Sequence, residues 1–252
     1  YEVKIRATDL AGNTSDQILN LNVKNVRGLT KLFSTKGSKS NIELGSAVDL
    51  SSNGKYLAIA ADGDNSQGVK GYVKVYKNNN NNWDLLNTLE SETTGQLRSV
   101  SISDDGQILS IGGIYANQGR DYDQRFVSSY KLNNGRFEKF STNPKGRLYG
   151  GDSFGNVTSL SSDGKYLAIW AVGKVVVYEQ TTSGLTQIGK DIVVESSSIS
   201  LSNDGKTIAI GSPNSDVGFV KVFKYTNAGW NQAFSTISGD EKNSKFGTSV
   251  SL

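Results

Sequence analysis

Acids, amides, hydroxyls and amines must carry any chemistry in this 252-residue chain, because it contains neither histidine nor cysteine. Thiolate nucleophiles, Ser-His-Asp triads, histidine acid–base pairs and ordinary zinc sites are thereby excluded. Glycoside cleavage would need two carboxylates facing each other across a cleft, and Asp104-Asp105 is the adjacent acidic pair that invites the test. That pair falls in a turn that recurs along the chain, so turning the backbone is its simpler role. Trp170 stands where the equivalent positions hold Ala60, Gly112 and Gly211. A single large ring among small residues is either a local core substitution or plug, or a platform on which a sugar could stack. Asn13-Thr14-Ser15 and Asn156-Val157-Thr158 match the glycosylation acceptor pattern, which has meaning only in a eukaryotic secretory host.

The elements that position these residues repeat. Laying Asn53-Gly54 over Asp105-Gly106, Asp163-Gly164 and Asp204-Gly205 gives spacings of 52, 58 and 41 residues. An alternating strand precedes each turn, as in Val48-Asp49-Leu50-Ser51 or Ile199-Ser200-Leu201-Ser202, and a second follows it, as in Tyr56-Leu57-Ala58-Ile59. The pair reads as a hairpin closed where glycine tolerates positive φ. A third strand ends in Tyr76, Tyr130, Tyr178 or Phe223, and seven residues later Trp83, Phe137, Leu185 or Trp230 opens a fourth. The unit is a four-stranded antiparallel meander, the size of a β-propeller blade, and such blades must stack around an axis to cover both faces.

The expected fold is therefore all-β: a β-propeller over residues 29–252 with four complete blades. A fifth begins at Phe246-Gly247 and an isolated outer-strand segment lies at 29–34. The absence of methionine and a start at Tyr1 inside a strand-like pattern predict a fragment or a processed product, and the cut fifth copy predicts a ring of at least five blades, with six to eight the expectation. Residues 1–26 alternate differently and read as a β-hairpin around Ala11-Gly12-Asn13.

Phe154-Gly155, Phe246-Gly247 and the run Ala209-Ile210-Gly211-Ser212-Pro213 resemble the FG-GAP repeat of integrin α-subunit propellers. Leu44-Gly45 keeps part of the pattern, whereas Gln96-Leu97 and Glu195-Ser196 have lost it. The resemblance implies calcium in the loop between second and third strands, and nominates Asp62, Asp64 and Asn65 as its ligands. The segment from Ala7 to Ser15 resembles the closing hairpin of a cadherin-like or bacterial Ig-like domain, in which Asp9 would be the calcium-ligand position. Lys24-Asn25-Val26-Arg27 stands where an acidic linker is expected, so the metal-free Ig-like form is the closer resemblance.

Net charge is +3, from 27 basic and 24 acidic residues spread along the chain, with no basic block of the kind that grips nucleic acid. No apolar run reaches the length of a membrane span, and no signal peptide opens the chain. These features together predict a non-enzymatic extracellular or cell-surface protein. Its propeller would present loops to a protein, a glycan or copies of itself, in adhesion or surface structure. The alternatives are a carbohydrate-binding or carbohydrate-cleaving propeller, and a subunit of an extracellular filament or surface layer.

Overall fold

The computed structural model describes residues 2–8, 14–20, 34–35, 43–64, 68–80, 82–92, 94–115, 124–142, 154–181 and 184–252. They form strands and turns, with no helix among the described residues, and hence none long and apolar enough to cross a membrane. Strands β1 (Glu2–Thr8) and β2 (Thr14–Asn20) pair antiparallel as the expected hairpin. Four sequential meanders follow. Blade one comprises β3 (Leu44–Leu50), β4 (Tyr56–Ala61), β5 (Tyr72–Asn79) and β6 (Asn82–Glu90). Blade two comprises β7 (Gly95–Ile102), β8 (Ile108–Tyr115), β9 (Gln124–Asn133) and β10 (Arg136–Thr142). Blade three has β11 (Thr158–Leu160), β12 (Tyr166–Ala171), β13 (Lys174–Thr181) and an outer strand broken into β14 (Gly184–Gln187) and β15 (Ile192–Val193). Blade four repeats that pattern with β16 (Ser198–Leu201), β17 (Thr207–Ser212), β18 (Phe219–Thr226), β19 (Gly229–Gln232) and β20 (Ile237–Ser238). Of the outer strand expected at 29–34, all but Ser34 lies outside the described residues, and Ser34 is in no strand.

Each first hairpin is closed by one device. The Ser51 hydroxyl donates to Asn53 Oδ1 at 2.8 Å and accepts the Tyr56 N–H at 2.9 Å, while Asn53 Oδ1 also accepts the Lys55 N–H. Ser103 with Asp105, Ser161 with Asp163, and Ser202 with Asp204 repeat it bond for bond. The Asp or Asn is thus a backbone acceptor in an Asx-type turn. The glycine that follows has φ between +66° and +74° in all four turns.

The blades are joined along their first strands. Ile102 N–H donates to Asp49 Oδ2 at 2.7 Å, and the N–H groups of Leu160, Leu201 and Leu252 donate to the hydroxyls of Ser101, Ser159 and Ser200, each at 3.0 Å. The small polar residue of each alternating strand therefore satisfies a main-chain donor of the next blade. Three buried apolar clusters fill the junctions, one to each. Val73, Val75, Leu97 and Ile111 lie between blades one and two; Val127, Leu160 and Leu167 between two and three; Val175, Ile192, Ile208 and Ile210 between three and four.

Two close approaches set the junction spacing. A β-carbon on Gly112 would overlap the carbonyl oxygen of Gly155 in the next blade, and one on Gly211 would overlap that of Gly247. Those carbonyls accept the hydroxyls of Ser99 and Ser198 at 2.9 and 2.8 Å. Gly112→Ala is expected to cost about 1–3 kcal/mol by overpacking a backbone contact. Urea unfolding should show the midpoint falling with the slope unchanged.

Asp49 replaces the serine of the other blades, and its carboxyl is held above the ordinary range. Burial is the main cause and nearby Asp104 adds to it, against the N–H groups of Ile102 and Leu50, which pull it down. Its protonated form therefore favours the folded state. That contribution is full below the unfolded value, near pH 4, and is lost as pH rises through the raised folded value. Asp49→Ser keeps an acceptor without the charge. It should melt higher than the parent chain at pH 7, with the gap closing as the pH is lowered toward 3.

Candidate functional site

The end of blade four opposite the Asx-Gly turns is built from three pieces: the segment leading into β16, the end of β17 with the turn after it, and the start of β18. They enclose a cavity of about 470 Å³ lined by Val194, Glu195, Ser196, Ser212 to Ser215, Phe219 and Lys221. That volume is within the range for small-molecule sites. Its apolar floor is Val194, Pro213 and Phe219, and its polar groups are one carboxylate, one ammonium, three hydroxyls and the Asn214 amide.

The two charges do not neutralise each other. Among the described residues, neither the Glu195 carboxylate nor the Lys221 ammonium makes a hydrogen bond or ion pair, and Lys221 Nζ stands 5.2 Å from the Phe219 ring centroid. Glu195 Oε1 lies beside the tight turn at Gly173 of blade three. Ser212 is 3% exposed, and its hydroxyl has no hydrogen-bond partner.

Two departures from the repeat meet here. Blades two and four carry glycine at 112 and 211 because the Phe-Gly backbone of the following blade presses on them. Blade three instead has Trp170, and the blade after it has Glu195-Ser196 in place of Phe-Gly. Trp170 packs against the cluster of Val175, Ile192 and Val194, which Phe219 also joins, and Val194 and Phe219 line the cavity as well. Its indole N–H is buried without a partner. The local-core reading of Trp170 holds for most of the ring, and the cavity lies against that core. The Asp104-Asp105 pair serves the turns: Asp104 accepts the hydroxyls of Ser52 and Ser162, and Asp105 holds its own hairpin.

The nominated metal loop is differently disposed. Asp62 is 6% exposed, with Oδ2 3.7 Å from the Arg98 guanidinium and Oδ1 without a partner. Burial pushes its carboxyl up, against Arg98 and the Ser46 hydroxyl. Asp64 is tied by its backbone to Val69, and Asn65 lies outside the described residues. No group of three or more metal-ligating side chains forms among the described residues. A cation at Asp62 would face a guanidinium and too few oxygens for calcium, so the described part of the loop does not fit the ion.

No family model matches the chain, and no curated relative matches it by sequence. Solved structures do. A protein from Lactobacillus plantarum aligns over 96% of this chain with TM-score 0.55 and 15% identity. A Bacteroides uniformis protein put forward as a 6-phosphogluconolactonase aligns over 96% with TM-score 0.54 and 15% identity. Hydrazine synthase of Kuenenia stuttgartiensis aligns over 72% with TM-score 0.51 and 16% identity, covering 58% of that chain. The chain spans 66% of the length of each of the first two. At such identities the likeness is one of fold.

These findings overturn the FG-GAP resemblance and the cadherin-like or Ig-like one. The physical reason is local: Phe154 fills the junction of blades two and three while Gly155 permits a close backbone approach. Phe-Gly is therefore a packing solution open to other propellers. The non-enzymatic adhesion reading is corrected with them. Propellers of matching fold include one put forward as a 6-phosphogluconolactonase, and the cavity of this chain holds a carboxylate and an ammonium. Melting curves in millimolar calcium and in chelator are expected to coincide. A melting temperature that climbs with the logarithm of calcium concentration would return the ion to the Asp62 loop.

Proposed function

We propose that this propeller binds a sugar-derived lactone in the cavity at the junction of blades three and four and opens its ring with water. The observation that carries the reading is the pair of uncompensated, opposite charges, Glu195 and Lys221, in one cavity of small-molecule size with hydroxyls around them. The fold likeness to the Bacteroides uniformis protein supports the substrate class. It does not fix the chemistry, since hydrazine synthase shares the fold at similar identity.

The chemistry asks little of the chain. Glu195 would take a proton from a water as its oxygen attacks the lactone carbonyl carbon, and Lys221 would stabilise the negative charge that develops on the carbonyl oxygen. Collapse breaks the bond to the ring oxygen, which receives the proton, leaving the open hydroxy acid. Val194, Pro213 and Phe219 would cover the apolar face of the sugar ring. No metal or redox cofactor enters this balance. An extracytoplasmic location belongs to the same proposal, as the setting for a chain rich in serine, asparagine and glycine loops.

Ring opening of δ-gluconolactone, followed by acid release in a pH-stat against the spontaneous rate, tests the reading. The chain should accelerate it, and Glu195→Gln should lose about 10²- to 10⁴-fold of the enzymatic rate. Absence of acceleration across a panel of aldonolactones, or an unchanged rate in the Gln variant, would remove the hydrolytic assignment.

A further inference from the structure

The chain carries two Asn-Gly pairs, Asn53-Gly54 and Asn134-Gly135. Such a pair has a chemistry of its own, because glycine has no side chain to shield its main-chain nitrogen from the side-chain carbonyl carbon of the asparagine before it. The two turns hold the reacting groups differently. Asn53 Oδ1 accepts the Ser51 hydroxyl at 2.8 Å and the Lys55 N–H at 2.9 Å, and its own N–H donates to the Asp104 carbonyl of the next blade at 3.3 Å. The Gly54 N–H donates to the Ser51 carbonyl at 2.8 Å. Asn134-Gly135 is the two-residue tip between β9 and β10, beyond the paired Asn133 and Arg136, with φ of +48° and +79°. Among the described residues neither the Asn134 amide nor the Gly135 N–H makes a hydrogen bond. Asn53 and Asn134 are both exposed, so access does not separate them and bonding does.

We propose that Asn134 is a site of spontaneous deamidation, and that the hydrogen bonds of the Asx-Gly turn spare Asn53 from the same reaction. The Gly135 nitrogen forms a bond to Asn134 Cγ and gives up its proton, the Cγ–Nδ2 bond breaks, and the amide nitrogen leaves as ammonia. The resulting five-membered succinimide takes up water at either of its carbonyls. Opening at Cγ leaves aspartate, and opening at the main-chain carbonyl leaves isoaspartate, in which the chain runs through Cβ. Water is the co-reactant, and nothing is oxidised or reduced. At Asn53 the same attack must first release the Gly54 N–H from Ser51 and withdraw Oδ1 from two donors, which adds to the barrier. Isoaspartate at position 134 lengthens the main chain of a turn that holds only two residues. Close behind that turn stands Phe137, buried and with its N–H on Asn87 Oδ1 of blade one at 3.0 Å.

Ageing the full, folded chain at mildly alkaline pH, where the attacking nitrogen loses its proton more readily, tests this by tryptic digestion and fragment mass spectrometry. The peptide Leu132–Arg136 should gain the mass difference between an oxygen and an NH group, located at Asn134, and should separate on a column into aspartate and isoaspartate forms. Asn53 should convert at least about tenfold more slowly, equivalent to about 1.4 kcal/mol of added barrier. In urea, where the turn bonds are gone, the two sites should convert at similar rates. Conversion of Asn134 no faster than that of Asn53 in the folded chain would overturn the proposal. So would a product at Asn134 containing aspartate alone, because the succinimide must open both ways. A gap between the sites that persists in urea would also sink it, since flanking residues rather than the turn bonds would then set the rates.

Discussion

A four-stranded meander has an innermost strand with one main-chain edge that no neighbour in its own sheet can pair. In this chain that edge is met by side chains. Asp49, Ser101, Ser159 and Ser200 each accept one N–H from the first strand of the following blade. The requirement dictates the alternation of apolar and small polar residues before every Asx-Gly turn, because one face must feed the junction cluster and the other must carry an acceptor. At two junctions the second strand of one blade also lies so close to the backbone leading into the next that glycine is demanded, at 112 and 211. The register of each blade on the next follows from this contact.

The candidate site arises where that regularity is suspended. Trp170 cannot coexist with a Phe-Gly backbone pressed against it, and the blade that follows has dispensed with Phe-Gly. Glu195 is left exposed at the position that Phe154 buries in blade three. One exchange at a junction thus turns a packing position into a charged one and leaves room beside it. The repeat supplies the rigid frame, and the departure supplies the chemistry.

Much of the fold was legible in the residues. The Asx-Gly spacing and the seven-residue interval from Tyr76 to Trp83 and its copies located the strands, because hairpin chemistry and blade width are local constraints. The departures at Trp170 and Glu195-Ser196 were visible too, but nothing in sequence said that they touch one junction. Lys221 gave no signal, since Lys74 occupies the same place in blade one. Sequence alone did not show Arg98 beside Asp62, because the two stand 36 residues apart in the chain and meet only in space. The break of the outer strands after Gln187 and Gln232 was also missed.

That break bears on how the molecules meet one another in solution. An outer strand is an open template, and a long, flat one recruits strands from other chains. In blades three and four it is cut into pieces of four and two residues, too short to seed an extended ladder. In blades one and two the outer strands run to nine and seven residues, but each is bent out of flatness by a register shift, opposite Val75 to Tyr76 and between Lys139 and Ser141. The rim of the propeller is thereby guarded against edge-to-edge polymerisation by two different means.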